Sequence, residues 1–297
     1  LPRSQERTLL KVDLNGQLVP KEEACVSVFD RGFLYGDGVF ETLRVYNGKV
    51  FRGDAHWERL QRSASLVRLE IPFAQSEYHE RLDRVVAVNK LTEAVARVTV
   101  SRGVGEASFT LDYDQHPTTL FTARPFEGYS EEYYRDGVAI ILAKTQRLDP
   151  AALSPAAKSA NYLNSVLAKA EADDAGAFDA IMLNAAGFLT EGSVTNVFMV
   201  RAEELLTPSV ESGILPGITR ATVLELAQGV GLEPRETALR TEDLLGSDEA
   251  FITNTTVEVL PVVKVGDAQI GAGTPGSVTR ELHRAYRQLV NRECCAK

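Results

Sequence analysis

Two Asn-Gly pairs, Asn15-Gly16 and Asn47-Gly48, each lie between short runs rich in apolar and β-branched residues. A two-residue hairpin turn needs positive φ at both central residues, which Asn and Gly adopt at the lowest cost. Each pair therefore predicts a β-hairpin, one over residues 9–14 and 17–19, the other over 39–46 and 49–51. The stretch 29–38 between them is too glycine-rich to read as a regular element. A helix follows, with Trp57, Leu60, Ala64 and Val67 at the 3-4-3 spacing of one face. A second helix is expected over 76–89, and strands over 94–100 and 118–123. Hairpins dominate here, so residues 1–124 read as a small α+β domain.

Residues 125–136 are acidic, Tyr-rich and without periodicity, and are read as an interdomain linker. Beyond them come a strand at 137–143 and a helix at 161–174. Strands at 178–183 and 195–200 flank a turn at Ala185-Ala186-Gly187. A helix over 217–229 has Pro216 at its mouth, strands at 250–253 and 259–263 follow, and a terminal helix covers 277–290. Residues 137–297 thus read as a larger domain with a mixed sheet or barrel and helices. Two domains also match the length prior for 297 residues, a chain that can bury about 75% of its unfolded surface.

Composition excludes several classes. Hydrophobic residues at 44% are too many for a disordered chain, and the longest apolar run, 138–143, is far short of the roughly 20 residues of a membrane span. With 32 Lys+Arg against 41 Asp+Glu the net charge is −9, which argues against a nucleic-acid partner. Three cysteines, Cys25, Cys294 and Cys295, are an odd number and form no disulfide framework. Residues 1–7 lack the apolar segment of a secretory signal, so the expected location is the cytoplasm, where the glycosylation match Asn254-Thr255-Thr256 has no meaning. His56, His79, His116 and His283 include no pair at ligand spacing, and no zinc or iron–sulfur site is expected. There is no Gly-x-Ser-x-Gly elbow and no phosphate loop of the Walker type, and Arg102-Gly103-Val104-Gly105 does not have the dinucleotide spacing.

Four features remain. Lys158 lies among small residues in Ser154-Pro155-Ala156-Ala157-Lys158-Ser159-Ala160-Asn161-Tyr162. Partial desolvation there would favour a nucleophilic amine, although a solvated surface lysine fits the same pattern. Leu215-Pro216-Gly217-Ile218-Thr219-Arg220 opens a helix, either as an anion site of backbone N–H groups or as plain helix-start punctuation. Thr253-Asn254-Thr255-Thr256 ends a strand with hydroxyls and amides suited to phosphate or carboxylate, or to a solvated turn. Glu191-Gly192-Ser193-Val194-Thr195-Asn196 places a carboxylate in a turn, as many turns do. Singly, none decides a function.

In this order along the chain they resemble the class IV aminotransferase family, the fold-type IV pyridoxal-phosphate enzymes. The resemblance spans about residues 8–290. It is strongest in Phe33-Leu34-Tyr35-Gly36-Asp37-Gly38-Val39-Phe40-Glu41-Thr42-Leu43-Arg44, His56-Trp57-Glu58-Arg59-Leu60 and Lys158-Ser159-Ala160-Asn161-Tyr162-Leu163, joined by Glu191-Gly192-Ser193-x-x-Asn196 and stretches 215–220 and 251–262. It implies a small α/β domain, a larger pseudo-barrel domain, pyridoxal 5′-phosphate in the cleft between them, and a homodimer in which a partner loop completes the substrate pocket. By this resemblance Lys158 forms the Schiff base and moves the proton, and Glu191 pairs with the pyridinium nitrogen. Arg59, Ile218, Thr219 and Thr255 hold the phosphate, and Tyr162 bonds the ring hydroxyl oxygen. Tyr35, Phe40, Thr42, Arg44, Arg97 and Thr256 surround the substrate.

The family implies three reactions. A branched-chain transaminase using L-amino acids and 2-oxoglutarate matches Tyr35, Phe40, Arg44 and Arg97. Thr42 stands where such enzymes usually carry glycine, and Phe251-Ile252-Thr253-Asn254-Thr255 departs from their pattern toward 4-amino-4-deoxychorismate lyase. A D-amino-acid transaminase ranks last, because Val104-Gly105-Glu106-Ala107-Ser108-Phe109 lacks that group's Arg-x-His pair. A non-enzymatic binding protein would have lost Lys158 or Glu191, and both are present. The expectation is a transaminase.

Overall fold

The computed structural model describes residues 10–105, 109–111 and 116–295. Glu106, Ala107 and Ser108 of the stretch just named, and the segment 1–7 read for a signal, lie outside the described residues. The chain divides into two compact units, Leu1–Glu127 and Gly128–Lys297.

The first unit contains β1 (Lys11–Leu14), β2 (Gln17–Pro20), α1 (Arg31–Tyr35), β3 (Gly38–Tyr46), β4 (Lys49–Val50), α2 (Gly53–Leu66), α3 (Gln75–Val88), β5 (Ala94–Ser101) and β6 (Thr118–Pro125). Its six strands form an antiparallel sheet in the order β2-β1-β6-β5-β3-β4. Both Asn-Gly pairs make the turns: φ is 53° and 83° at Asn15 and Gly16, and 50° and 75° at Asn47 and Gly48. One face of the sheet presents Val39, Leu43, Val45, Ala96, Val98 and Phe121 to Leu60, Tyr78, Leu82 and Val85 of α2 and α3. The opposite face carries Phe40, Thr42 and Arg44, by the two-residue alternation of a strand. Register aligns Thr42 with Arg97 and Arg97 with Thr122 across three strands.

The glycine-rich stretch, expected to be irregular, contains helix α1. The Asp30 side chain caps it by accepting the Gly32 N–H, and Gly36 ends it at φ 67°. Asp30 is also held by the hydroxyls of Ser101 and Thr118, so tertiary partners fix the cap that nucleates a five-residue helix.

The second unit contains α4 (Glu131–Asp136), β7 (Val138–Leu142), α5 (Leu163–Asp174), β8 (Asp179–Ile181), β9 (Asn196–Arg201), β10 (Glu204–Pro208), α6 (Ile218–Ala227), β11 (Glu233–Thr237), α7 (Thr241–Leu245), β12 (Glu249–Asn254), β13 (Glu258–Val265), β14 (Ala268–Gln269) and α8 (Ser277–Val290). Its sheet runs β11-β10-β9-β12-β13-β7-β8, with β14 paired to β13. The pairs β10/β11, β13/β7 and β7/β8 are parallel and the others antiparallel, a mixed sheet with a large apolar core and a smaller apolar cluster where α5 packs on β8.

The two units meet in sequence at Glu127/Gly128, inside the stretch 125–136 read as a linker, but that stretch also carries regular structure: Pro125 ends β6, and α4 occupies Glu131–Asp136. Ser130 caps α4, and its buried Tyr134 donates a hydrogen bond to the Val257 carbonyl. A helix this short with a single buried residue has no periodicity to detect. Strands β10 and β11 and helix α7 were also not expected. β11 reads Glu-Pro-Arg-Glu-Thr, a polar edge strand without apolar alternation. Among the described residues, no helix is long and apolar enough to cross a membrane.

Candidate active site

In the second unit Lys158 is half-buried in the segment between β7 and α5, and its Nζ donates to the Tyr162 hydroxyl at 3.0 Å. Tyr162 is the residue that opens α5, and its carbonyl accepts the Val166 N–H. The four-residue offset thus places amine and phenol side by side.

Glu191 is buried in the turn that follows β8. Its Oε1 lies 2.6 Å from Arg147 Nη2, and its Oε2 accepts the Leu215 N–H at 2.9 Å and Asn196 Nδ2 at 3.2 Å. Asp179 shapes this turn from β8: its carboxylate accepts the Ser193 N–H, the Ser193 hydroxyl and the Thr195 hydroxyl. Gly192 is required by space, since a Cβ there would lie 2.4 Å from Asp179 Oδ2 and 2.2 Å from Thr195 Oγ1.

Asn196 connects the Glu191 turn to α6. Its amide also donates to the Leu215 carbonyl, and a Cβ on Gly217 would meet its Oδ1 at 2.1 Å. Gly217 caps α6 without any side-chain hydrogen bond, so the helix begins with the amides of Ile218 and Thr219 and a buried threonine. Such an end attracts anions through its unsatisfied N–H groups and the helix dipole.

Thr255 and Thr256 lie in the loop between β12 and β13, where Asn254 pairs with Glu258. Asn254 Oδ1 accepts the Thr256 N–H, the Thr256 hydroxyl and the Val257 N–H, while its Nδ2 donates to the Val194 carbonyl. This amide ties the threonine loop to the Glu191 turn. Glu258 closes the loop at φ 57°, a left-handed conformation, and is buried against His283 and Arg287 of α8. Tyr162, Arg147 and Leu215 line one cavity of about 20 Å³, which brings the phenol bonded to Lys158 beside the groups bonded to Glu191.

In the first unit the Arg59 guanidinium forks onto Glu41, with Nε to Oε1 at 2.8 Å and Nη2 to Oε2 at 2.7 Å. His56 Nδ1 lies 2.7 Å from the same Oε2, and all three side chains are buried. Burial pushes the Glu41 carboxyl up, but Arg59 and then His56 outweigh it and hold it well below the usual carboxylate range.

Phe40, Thr42 and Arg97 share one sheet face. The Arg97 guanidinium lies 3.7 Å from the Phe40 ring centre, its Nε donates to the Thr99 hydroxyl, and Thr42 is its register partner. Tyr35 ends α1 with its ring 5.1 Å from that of Phe109. Arg44, expected to surround the substrate, is engaged within the first unit. It is buried, with Nη1 on the carbonyls of Val45, Ala94 and Phe126 and Nη2 on Glu93 at 2.7 Å, between the rings of Tyr46 and Phe126. A guanidinium so engaged fastens strand ends together.

The sequence reading missed Glu41, Arg147, Asp179, Asn196 and Asn254 as site-building residues. Asn196 and Glu41 stood inside the quoted motifs and Asn254 beside Thr255. Arg147 and Asp179 carried no motif, because their partners are distant in the chain. Among the described residues, no group of three or more His, Cys, Asp or Glu side chains is placed to hold a metal ion.

The residues present fit pyridoxal phosphate by their chemistry: an amine paired with a phenol, a buried carboxylate for a ring nitrogen, and a helix start without a side-chain cap for a phosphate. The sequence model of the amino-transferase class IV family matches residues 38–265. A putative branched-chain-amino-acid aminotransferase of Methanocaldococcus jannaschii is 40% identical over 280 residues, covering 94% of this chain and 96% of the relative. A D-alanine aminotransferase of Bacillus licheniformis is 36% identical, with coverages of 95% and 97%, and an aminodeoxychorismate lyase of Bacillus subtilis 33%, with 93% and 94%. The solved structure of the branched-chain amino acid aminotransferase from Thermobaculum terrenum, in its PLP form, superposes with a TM-score of 0.86 at 31% identity, covering 95% of this chain and 94% of that one. A lysine–tyrosine pair, a buried glutamate turn and an open helix start, on a fold and sequence shared along nearly the whole chain, place this protein in the class IV aminotransferase family, as a pyridoxal-phosphate-dependent transaminase.

Proposed function

We propose that the protein transfers an amino group between L-amino acids of the branched-chain type and 2-oxoglutarate. The observation that carries this reading is the Lys158–Tyr162 pair in the same unit as the buried, multiply bonded Glu191. Pyridoxal phosphate supplies an electrophilic carbon and a ring that takes up the electron pair released when a Cα–H bond breaks. Lys158 provides the amine that bonds the cofactor and later carries the proton to and from the substrate Cα. The Tyr162 hydroxyl orients that amine and bonds the ring oxygen. Glu191 keeps a proton on the ring nitrogen. In the second unit the amides of Ile218 and Thr219 and the Thr219 and Thr255 hydroxyls suit a phosphate, and in the first unit Arg59, aligned by Glu41, is by its chemistry also a phosphate ligand. In the first unit Phe40 offers a substrate an apolar wall beside Tyr35 and Thr42, and Arg97 suits the second carboxylate of glutamate; in the second unit Thr256 is a further candidate substrate contact.

A lyase acting on 4-amino-4-deoxychorismate is the second reading. It is favoured by Thr42, whose position opposite Arg97 puts a hydroxyl beside the proposed substrate carboxylate. D-Amino acids rank below both, because the chain after Arg102-Gly103 lacks the Arg-x-His pair. A second copy of this chain is the proposed partner, supported by exposed apolar groups: Phe33 (74%) and Phe109 (82%) in one unit, and Leu163, Val166 and Leu167 along α5 in the other. The cytoplasm is the proposed location, supported by three cysteines that form no disulfide.

The test mixes holoenzyme with L-leucine, L-glutamate or D-alanine alone and follows the cofactor spectrum. Conversion to the pyridoxamine form with the L-amino acids supports the proposal. Conversion with D-alanine only reverses the stereochemical assignment. No conversion, with pyruvate released from aminodeoxychorismate, establishes the lyase.

A further inference from the structure

Arg147 is held in place before any ligand is considered. Its backbone N–H donates to the Leu183 carbonyl at 2.9 Å and its Nε to the Gly213 carbonyl at 3.3 Å. With the backbone and side-chain stem fixed, Nη2 lies 2.6 Å from Glu191 Oε1, and both side chains are largely buried. The other carboxylate oxygen is met by two neutral N–H donors, Leu215 and Asn196. A carboxylate that shares its charge with a guanidinium attracts a neighbouring proton less than one surrounded by neutral donors alone. One full cation on Oε1 and two neutral donors on Oε2 make the two oxygens inequivalent.

We propose that Arg147 is a positioning residue that both fixes the Glu191 carboxylate and moderates how strongly it holds the proton at the cofactor's pyridine nitrogen. The inference rests on the reading of Glu191 under Proposed function. Too weak a hold would leave the ring a poor acceptor for the electron pair, and too strong a hold would retain that pair when it must return to carbon. A fixed arginine sets the balance by charge, so a lysine at the same place preserves it and a neutral side chain of similar reach does not.

The test uses holoenzyme loaded with pyridoxal phosphate labelled with 15N in the ring. The 15N shift, which reports how fully the ring nitrogen is protonated, is read in the parent protein and in Arg147→Gln, Arg147→Lys and Glu191→Gln. Arg147→Gln is expected to move the shift toward the protonated value and to change kcat of the half-reaction with L-glutamate by about tenfold, the equivalent of one unit of proton affinity, at nearly constant KM. Arg147→Lys restores the parent shift. An unmoved shift in Arg147→Gln, or one that moves to the unprotonated side, overturns the proposal while a displaced shift in Glu191→Gln leaves the assignment of Glu191 standing. A Glu191→Gln protein with the parent shift overturns that assignment and this inference with it. Should Arg147→Gln fail to fold, Arg147→Lys decides: a parent shift supports the role of charge, and an altered one refutes it.

Discussion

In the first unit three carboxylates are each met by two basic side chains, while the buried Asp30 is met by an amide and two hydroxyls. Glu41 is held by Arg59 and His56, Asp13 by Arg81 and Arg84, and Asp37 by Arg31 and Arg102. In the second unit Glu258 is likewise met by Arg287 and His283, but Asp179 is held by amide and hydroxyl donors, and Glu191 by one arginine and two neutral N–H groups. The contrast follows from place. The first set lies at junctions where strands meet helices, α1 or the loops beside them, and matched ions there fix geometry at the expense of desolvation. Asp179 and Glu191 shape turns, and a carboxylate met mostly by neutral donors has its charge less compensated than one between two basic side chains.

Replacing Lys158 separates chemistry from scaffold most sharply. Lys158→Ala should lower the transamination rate by more than about 10³-fold while circular dichroism and urea denaturation stay close to the parent. Borohydride reduction of the parent holoenzyme followed by peptide mass mapping should label Lys158; a label on another lysine would refute the assignment. Next comes Glu41→Gln, which leaves Arg59 and His56 without their carboxylate and should destabilise the protein by about 3 kcal/mol in urea titrations. A cost under about 1 kcal/mol would show that the first unit's ion clusters do not carry its stability.

The same residue gives a pH test with a definite sign. The folded protein holds the Glu41 carboxyl below its ordinary value of 4.5, so it binds that proton less readily than the unfolded chain does. Its stabilisation is complete above that ordinary value and is lost as pH falls from there toward the lower folded-state value. Thermal melts below pH 4.5 should therefore drop less steeply in Glu41→Gln than in the parent, and parallel curves would assign the acid sensitivity to other groups. Smaller effects are expected at the threonine loop. Glu258→Ala removes the contacts to α8 but keeps the left-handed backbone, and should cost about 2 kcal/mol. Glu258→Gly relieves that backbone and should recover about 1 kcal/mol of the loss, a difference that chemical denaturation resolves.

Much of the scaffold was legible in the chain. The Asn-Gly turns, helix α2 with Trp57, Leu60 and Ala64 on one face, and the terminal helix α8 follow from local periodicity and turn chemistry. Lys158, Tyr162, Glu191, Ile218, Thr219 and Thr255 stood in motifs because close spacing along the chain fixes what each presents: an amine beside a phenol, a glutamate before the glycine its turn requires, the first amides of a helix. Helices α1 and α4 were not legible, because the hold on the Asp30 cap of α1 and the burial of Tyr134 in α4 depend on residues far along the chain.

The sequence by itself determined the strand and helix periods, the turns and the family of chemistry, since these are set by φ preferences and by spacings of a few residues. Which partner each charge meets was settled by the tertiary structure alone. Arg44 and Arg59 look alike in sequence, yet one fastens strand ends through carbonyls and Glu93 while the other is aligned by Glu41. Arg147 has no signature at all, and gains its place when Leu183, Gly213 and Glu191 converge on it. The physical reason is the same in each case: the interaction of a charge depends on burial and on the partners brought within about 3 Å, and folding alone supplies both.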